Sequence, residues 1–172
     1  VELDKSIAQQ PPRDLTYQRA INLALSEELA SRPNLLVYGE DMGFAGGIFG
    51  VSRGLQKKFG EDRVFDTPIA EAAIMGSAIG AAMEGVHTVV EIMWADFVFV
   101  ALDQIVNQAS NVRYIHRGKL HAPLPIRLQQ AVPPGPSAQP SQPLDAFLAP
   151  LPGLQLAPPS APPPAPDTPR PA

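Results

Sequence analysis

The sequence predicts an α/β domain built on a parallel sheet, and three observations carry that prediction. Strand-length apolar runs alternate with longer helical stretches up to about residue 130, an order that implies right-handed crossovers between parallel strands. The run Leu35-Leu36-Val37-Tyr38 is apolar at consecutive positions, as expected of a strand covered on both faces. The stretch Ala72 to Met83, small and apolar between Glu71 and Glu84, is too short to span a bilayer and reads as a buried helix.

The elements follow in order. Leu15 to Ser31 places Ile21, Leu25 and Leu29 at spacing four, beside Ala20 and Ala24, which makes one helix face. Pro33-Asn34 ends it. Leu35 to Tyr38 is the first strand. A loop carrying Gly43, Gly46, Gly47 and Gly50 leads to a short helix over Val51 to Phe59, closed by Gly60. Arg63 to Asp66 is a short strand. Asp66 or Thr67 can cap the next helix, with Pro68 in its first turn. That helix runs from about Ile69 to Met83 and stops at Gly85. Thr88 to Met93 reads as a strand. Phe97 to about Tyr114 reads as a helix, with Val100, Gln104, Asn107 and Val112 marking its turns. Leu124 to Gln129 is a further strand, and Ser141 to Ala149 can form a short helix stopped by Pro150.

Composition narrows the function. A net charge of −4 offers no broad basic surface to nucleic acid or anionic lipid, so neither a nucleic-acid nor a membrane partner is expected. There is no cysteine, which rules out disulfides, thiol catalysis and thiolate metal sites and fits a reducing compartment. Val1 to Pro12 lacks the basic start and apolar centre of a secretion signal. It is expected to be a flexible segment, 1–12, ahead of a domain at 13–156. The domain becomes degenerate after about 130, since 15 of the 21 prolines lie in 131–172. The stretch 157–172 reads as a proline-rich, disordered tail.

Candidate motifs are few. The Gly43–Gly50 loop has neither the dinucleotide fingerprint spacing nor the Gly-Lys-Ser/Thr of a phosphate loop. It is either a flexible connection or a loop lying over a ligand. Gly76 and Gly80 each cost helix propensity of about 1 kcal/mol, which close approach of another backbone would offset, within the subunit or across an interface. His87, His116 and His121 fit no metal-ligand spacing and read as surface or loop residues. Glu71 is the residue to explain. A single carboxylate in the first turn of an apolar helix is costly unless its proton or charge is used, although it also suits the helix amino end electrostatically.

Five stretches in order complete the picture: Gly39-Glu40-Asp41, Val51-Ser52-Arg53-Gly54-Leu55, Asp66-Thr67-Pro68-Ile69-Ala70-Glu71, Glu91-Ile92-Met93-Trp94-Ala95-Asp96-Phe97 and Asp103-Gln104-Ile105-Val106-Asn107. Together they resemble the β subunit of thiamine-diphosphate-dependent 2-oxo acid dehydrogenases of the pyruvate and branched-chain type. The likeness is to the transketolase-like pyrimidine-binding domain of that subunit, here in truncated form. It covers 13–130 well and 131–156 weakly. The resemblance implies a parallel sheet sandwiched by helices, and thiamine diphosphate as cofactor. It also implies the role of Glu71: its carboxyl meets the pyrimidine ring nitrogen and favours the imino tautomer that acts as base. By the same resemblance Ile69 lies against the cofactor, Phe97 stacks on the pyrimidine, Met93 lines the pocket, and Glu40 stands nearby as a second acidic group. Met93 and Phe97 read from the residues alone are equally well plain core.

The resemblance further implies a divided site. Magnesium and the diphosphate belong to an α-type partner subunit, so no metal ligands are expected in this chain. An α2β2 heterotetramer feeding a lipoyl-bearing transacylase is implied, cytoplasmic as in bacteria or a processed mitochondrial form. One departure stands out. Where the family places a catalytic His before a Ser-Gln pair, Pro140 precedes Ser141-Gln142, and proline can neither give nor take a proton. Two functions are therefore carried forward. One is a β-type enzyme subunit oxidising pyruvate or a branched-chain 2-oxo acid. The other is a non-catalytic remnant or binding module that docks to an α-type partner.

Overall fold

A computed structural model describes residues 15–130 and 143–157. The expectations for 1–12, for Pro140 with Ser141-Gln142, and for the tail beyond Ala157 lie outside these described residues.

The first helix, α1 (Tyr17–Ser31), starts behind Thr16, whose hydroxyl accepts the Arg19 N–H at 3.2 Å. It buries Ala20, Leu25 and Leu29, the face its spacing predicts. Strand β1 (Leu35–Gly39) follows. Helix α2 (Leu55–Phe59) is shorter than the expected Val51–Phe59. Gly54, at φ 78°, breaks the helical path, and Val51 to Gly54 form turns instead. The side-chain amide of Asn22 donates to the carbonyls of Val51 and Arg53 there, at 2.8 and 3.2 Å. Gly60 closes α2 at φ 93° as expected. Then come β2 (Val64–Asp66), α3 (Glu71–Met83) and β3 (His87–Ile92).

The stretch expected as one helix from Phe97 to Tyr114 is three pieces. A 3-10 segment covers Ala95–Ala101, a π-helical segment Gln104–Ala109, and α4 covers Val112–Ile115. The residues that face the core are Val98, Ala101, Ile105 and Val112. Val100 is instead exposed, because the tighter and looser turns rotate the face away from a 3.6-residue period. Strand β4 (Ile126–Leu128) and α5 (Asp145–Leu148) complete the described fold. Among the described residues no helix is long and apolar enough to cross a membrane.

The four strands are all parallel, in the order β2-β1-β3-β4. The chain steps one way from β1 to β2 and then reverses to place β3 on the other side of β1. That reversal opens a crevice at the carboxyl ends of β1 and β3, the usual ligand position in open parallel sheets. Side-chain alternation divides the core. Tyr38, Val90 and Ile92 face α3 and the 3-10 segment, packing with Ile74, Met75, Ala78, Val98 and Ala101. Leu35, Val37 and Val64 face α1 and α2, packing with Leu25, Leu29 and Leu55. Full burial of each Val, Leu, Ile or Met side chain among them stabilises the fold by about 1.5–3 kcal/mol.

Candidate functional site

The crevice is built by three chain exits. After β1 the chain gives Glu40 and Asp41. After β2 the Thr67 N–H donates to the Gly39 carbonyl at 3.0 Å, which carries Pro68, Ile69 and Ala70 across the end of β1 and starts α3 at Glu71. After β3 come Met93, Trp94 and the 3-10 segment, tied to the β4 exit by the Ala95 N–H donating to Gln129 O at 2.8 Å.

The α3 start differs from the expected cap. The helix begins at Glu71, not Ile69, and Ala70 stands at its cap position at φ −160° with no side-chain hydrogen bond. Asp66 is engaged elsewhere: its Oδ1 accepts the Gly43 N–H at 2.5 Å. Thr67 Oγ1 is buried without a hydrogen-bond partner among the described residues. The negative charge of Glu71 in the first turn complements the exposed amide groups of the helix start.

Glu40 and Glu71 come together here. Both are buried, at 6% and 7% exposure. Burial lifts the Glu40 carboxyl above the ordinary carboxylate range, and the negative charges of Glu71, Asp41 and Glu91 act in the same sense. Glu40 Oε1 is buried with no hydrogen-bond partner among the described residues. A buried carboxyl oxygen in that state is costly unless it meets a ligand or carries a proton. The other three candidates line the same edge less tightly. Met93 is half-buried, Phe97 is 36% exposed and Ile69 is 84% exposed.

The glycine loop is fastened over this edge. Besides the Gly43–Asp66 bond, the Gly47 N–H donates to Asp41 O at 2.6 Å and Ser52 Oγ to Met42 O at 2.7 Å. Phe49 meets Trp94 edge to face, centroids 5.0 Å apart. A Cβ on Gly46 would lie 2.5 Å from Arg53 Cα, so that turn admits only glycine. By contrast Gly80 has nothing within 4 Å of where a Cβ would stand, and Gly76 only the Gln104 side chain at 3.9 Å. No backbone within the described fold approaches either one.

Two charged residues escaped the sequence reading of the site. Glu91 is 1% exposed, and its Oε2 accepts from Arg127 Nε at 2.6 Å, with Nη2 at 2.5 Å. Burial raises the Glu91 carboxyl, outweighing the opposing pull of Arg127. The signal was present in sequence: each is the single charge in an apolar strand, and the charges are opposite. Of the histidines, His116 and His121 are exposed, while His87 is the first residue of β3 and half-buried. Among the described residues no cluster of His, Asp and Glu is arranged to hold a metal ion.

Comparison with known proteins bears on the family and the fold. The family described as "Transketolase, pyrimidine binding domain" matches residues 13–165. The "Pyruvate dehydrogenase E1 component subunit beta" of Acholeplasma laidlawii is 40% identical over 148 residues, covering 86% of this chain and 45% of that protein. The "2-oxoisovalerate dehydrogenase subunit beta" of Bacillus subtilis is 40% identical over the same coverage, 86% and 45%. The Leifsonia xyli pyruvate dehydrogenase E1 component subunit beta is 39% identical over 164 residues, 94% of this chain and 49% of that protein. The chain thus spans about half the length of these relatives. With a match that runs through every described strand and helix, the chain belongs to the transketolase pyrimidine-binding domain family.

Proposed function

We propose that this chain supplies the pyrimidine half of a thiamine diphosphate site in a 2-oxo acid dehydrogenase acting on pyruvate or a branched-chain 2-oxo acid. The observation that carries the reading is the pair Glu40 and Glu71, buried together at the carboxyl edge where the strand order reverses. The residues fit the group. An aminopyrimidine needs a carboxyl partner for its ring nitrogen and apolar surface for its ring. Glu71 offers the first, and Ile69, Met93 and Phe97 offer the second.

When bound, thiamine diphosphate supplies a carbon nucleophile that adds to the 2-oxo group and stabilises the negative charge left by decarboxylation. This chain's part is positional and acid–base. Glu71 holds a proton at the pyrimidine nitrogen, a contribution typically of about 10²–10⁴ in rate. Glu40, whose carboxyl burial raises above the ordinary range, presents its Oε1, without a partner among the described residues, to a hydrogen-bonding group in the same crevice. Phe97 and Met93 exclude water from the ring face, and Ile69 covers its edge. An α-type partner subunit supplies the magnesium and diphosphate half, and a lipoyl-bearing transacylase receives the acyl group.

A second reading, docking to the partner without turnover, is favoured by one sequence observation: Pro140 stands where the resemblance calls for a proton-transferring His. One experiment separates the two. The chain is mixed with an α-type partner, thiamine diphosphate and magnesium, and dye reduction is followed with pyruvate and with branched-chain 2-oxo acids. Turnover supports the enzyme subunit and names its substrate. A complex that binds cofactor without turnover supports docking alone, and a chain that binds neither partner nor cofactor overturns both.

A further inference from the structure

The sequence holds no Asp or Glu between Asp103 and Asp145. Four cations stand in that stretch, Arg113, Arg117, Lys119 and Arg127, in a chain of net charge −4. Arg127 is spent on Glu91. The other three crowd into the turn that ends α4, and all are exposed, as is His116. Between them stand two apolar side chains turned to solvent, Tyr114 at 86% exposure and Ile115 at 60%. None of these six side chains makes a hydrogen bond or ion pair among the described residues. The backbone beneath them is fixed. The Gly118 N–H donates to Arg113 O at 2.8 Å and the Arg117 N–H to Tyr114 O at 3.1 Å, the paired bonds of a Schellman helix end. Its left-handed position, ordinarily a glycine, is occupied by Arg117 at φ 53°. A long side chain is thus kept where the backbone favours none.

We propose that the turn from Arg113 to Lys119 is a docking surface for a short acidic segment of a partner protein. Tyr114 and Ile115 form its apolar centre, and Arg113, Arg117 and Lys119 form a cationic rim that pairs with carboxylates. Charge complementarity sets the chemistry of the occupant. An extended polyanion, a nucleic acid or an anionic lipid sheet, would meet the acidic remainder of the chain along with the turn and be repelled by it. A short acidic segment meets the turn alone. The exposed aromatic and aliphatic pair points the same way, because an apolar centre inside a polar rim, rich in Tyr and Arg, is the make-up of a protein–protein contact. Guanidinium groups add geometry to the charge, since each can hold a carboxylate through two parallel hydrogen bonds. None of these residues belongs to the crevice of Glu40 and Glu71, so the inference does not rest on the thiamine diphosphate reading.

The test is fluorescence anisotropy of a labelled glutamate–leucine peptide titrated with the full chain. Binding is expected, weakening as salt is raised, and absent when lysine replaces glutamate in the peptide. Arg113→Glu combined with Lys119→Glu is expected to abolish it. Tyr114→Ser is expected to weaken it by about tenfold, as for a truncated aromatic anchor. Arg117→Gly gives a signature that a merely structural role would not. It is expected to raise the melting temperature, because glycine suits the left-handed position, and yet to weaken the peptide by about threefold, as for one screened surface charge. This variant remains informative if the double charge reversal fails to fold. Three results overturn the proposal: no binding of the glutamate–leucine peptide, binding indifferent to the charge reversal and to Arg117→Gly, or tighter binding of a single-stranded RNA or of phosphatidylserine vesicles than of the peptide.

Discussion

Gly39 and Glu91 stand opposite each other across β1 and β3, and a methyl group on Gly39 would lie 2.7 Å from the Glu91 carbonyl oxygen. The φ of Gly39 is 158°, extended backbone, so proximity and not backbone strain demands glycine here. This close approach holds the ends of β1 and β3 together where the chain leaves the sheet toward Glu40. Gly39→Ala is expected to cost about 1–3 kcal/mol, the usual range for overpacking a filled site. Urea unfolding of the two proteins checks it, and an unchanged midpoint would mean that the strands part easily.

Gly80 should behave in the opposite way. It lies inside α3, faces solvent, and has nothing within 4 Å of its missing side chain. Gly80→Ala in the isolated chain is expected to stabilise by about 0.5–1 kcal/mol through helix propensity alone. If this face packs against a partner helix, the same variant should weaken assembly while raising the melting temperature of the free chain. Sedimentation of the mixture with an α-type partner distinguishes the two effects.

Asp66 anchors the glycine loop through the Gly43 N–H. Asp66→Ala is expected to cost about 1 kcal/mol, as for one part-buried hydrogen bond, and to speed hydrogen exchange at Gly43 more than at residues of β1. Equal exchange rates in both proteins would show that the Phe49–Trp94 contact holds the loop without Asp66.

Glu40 gives the fold a definite pH dependence. Its folded-state value is raised above the ordinary 4.5. A carboxyl raised on folding contributes stability that is fully present below its unfolded value and is lost as pH rises through its folded value. Burial raises Glu91 in the same direction. Glu40→Gln should therefore be more stable than the unsubstituted chain at about pH 7.5, with the difference closing at about pH 4. Thermal melts at the two pH values test this. A variant less stable at both would show Glu40 to be held as an anion by a partner.

Much of this was legible in the residues. The four strands and the α/β class follow from apolar runs, glycines and chain order, whereas Glu40 was singled out beside Glu71 by the resemblance alone, because neither pattern nor spacing says which chain exits meet. The region after β3 was not legible as drawn. A 3.6-residue period fits Val100 and Gln104, but successive 3-10 and π turns change the period and bring Val98, Ala101 and Ile105 inward instead. The α3 cap was missed for a different reason: Asp66 has two possible backbone partners, and tertiary contact with Gly43 wins over the local one. The Glu91–Arg127 pair depends on strand register, which local pattern does not fix.

The central claim is that Glu71 holds the proton at the cofactor's pyrimidine. The most direct test compares the unsubstituted chain and Glu71→Gln, each assembled with an α-type partner and loaded with thiamine diphosphate and magnesium, in 2-oxo acid-dependent dye reduction. The account predicts an intact complex whose rate falls by about 10²–10⁴. An intact complex turning over at an undiminished rate would contradict it.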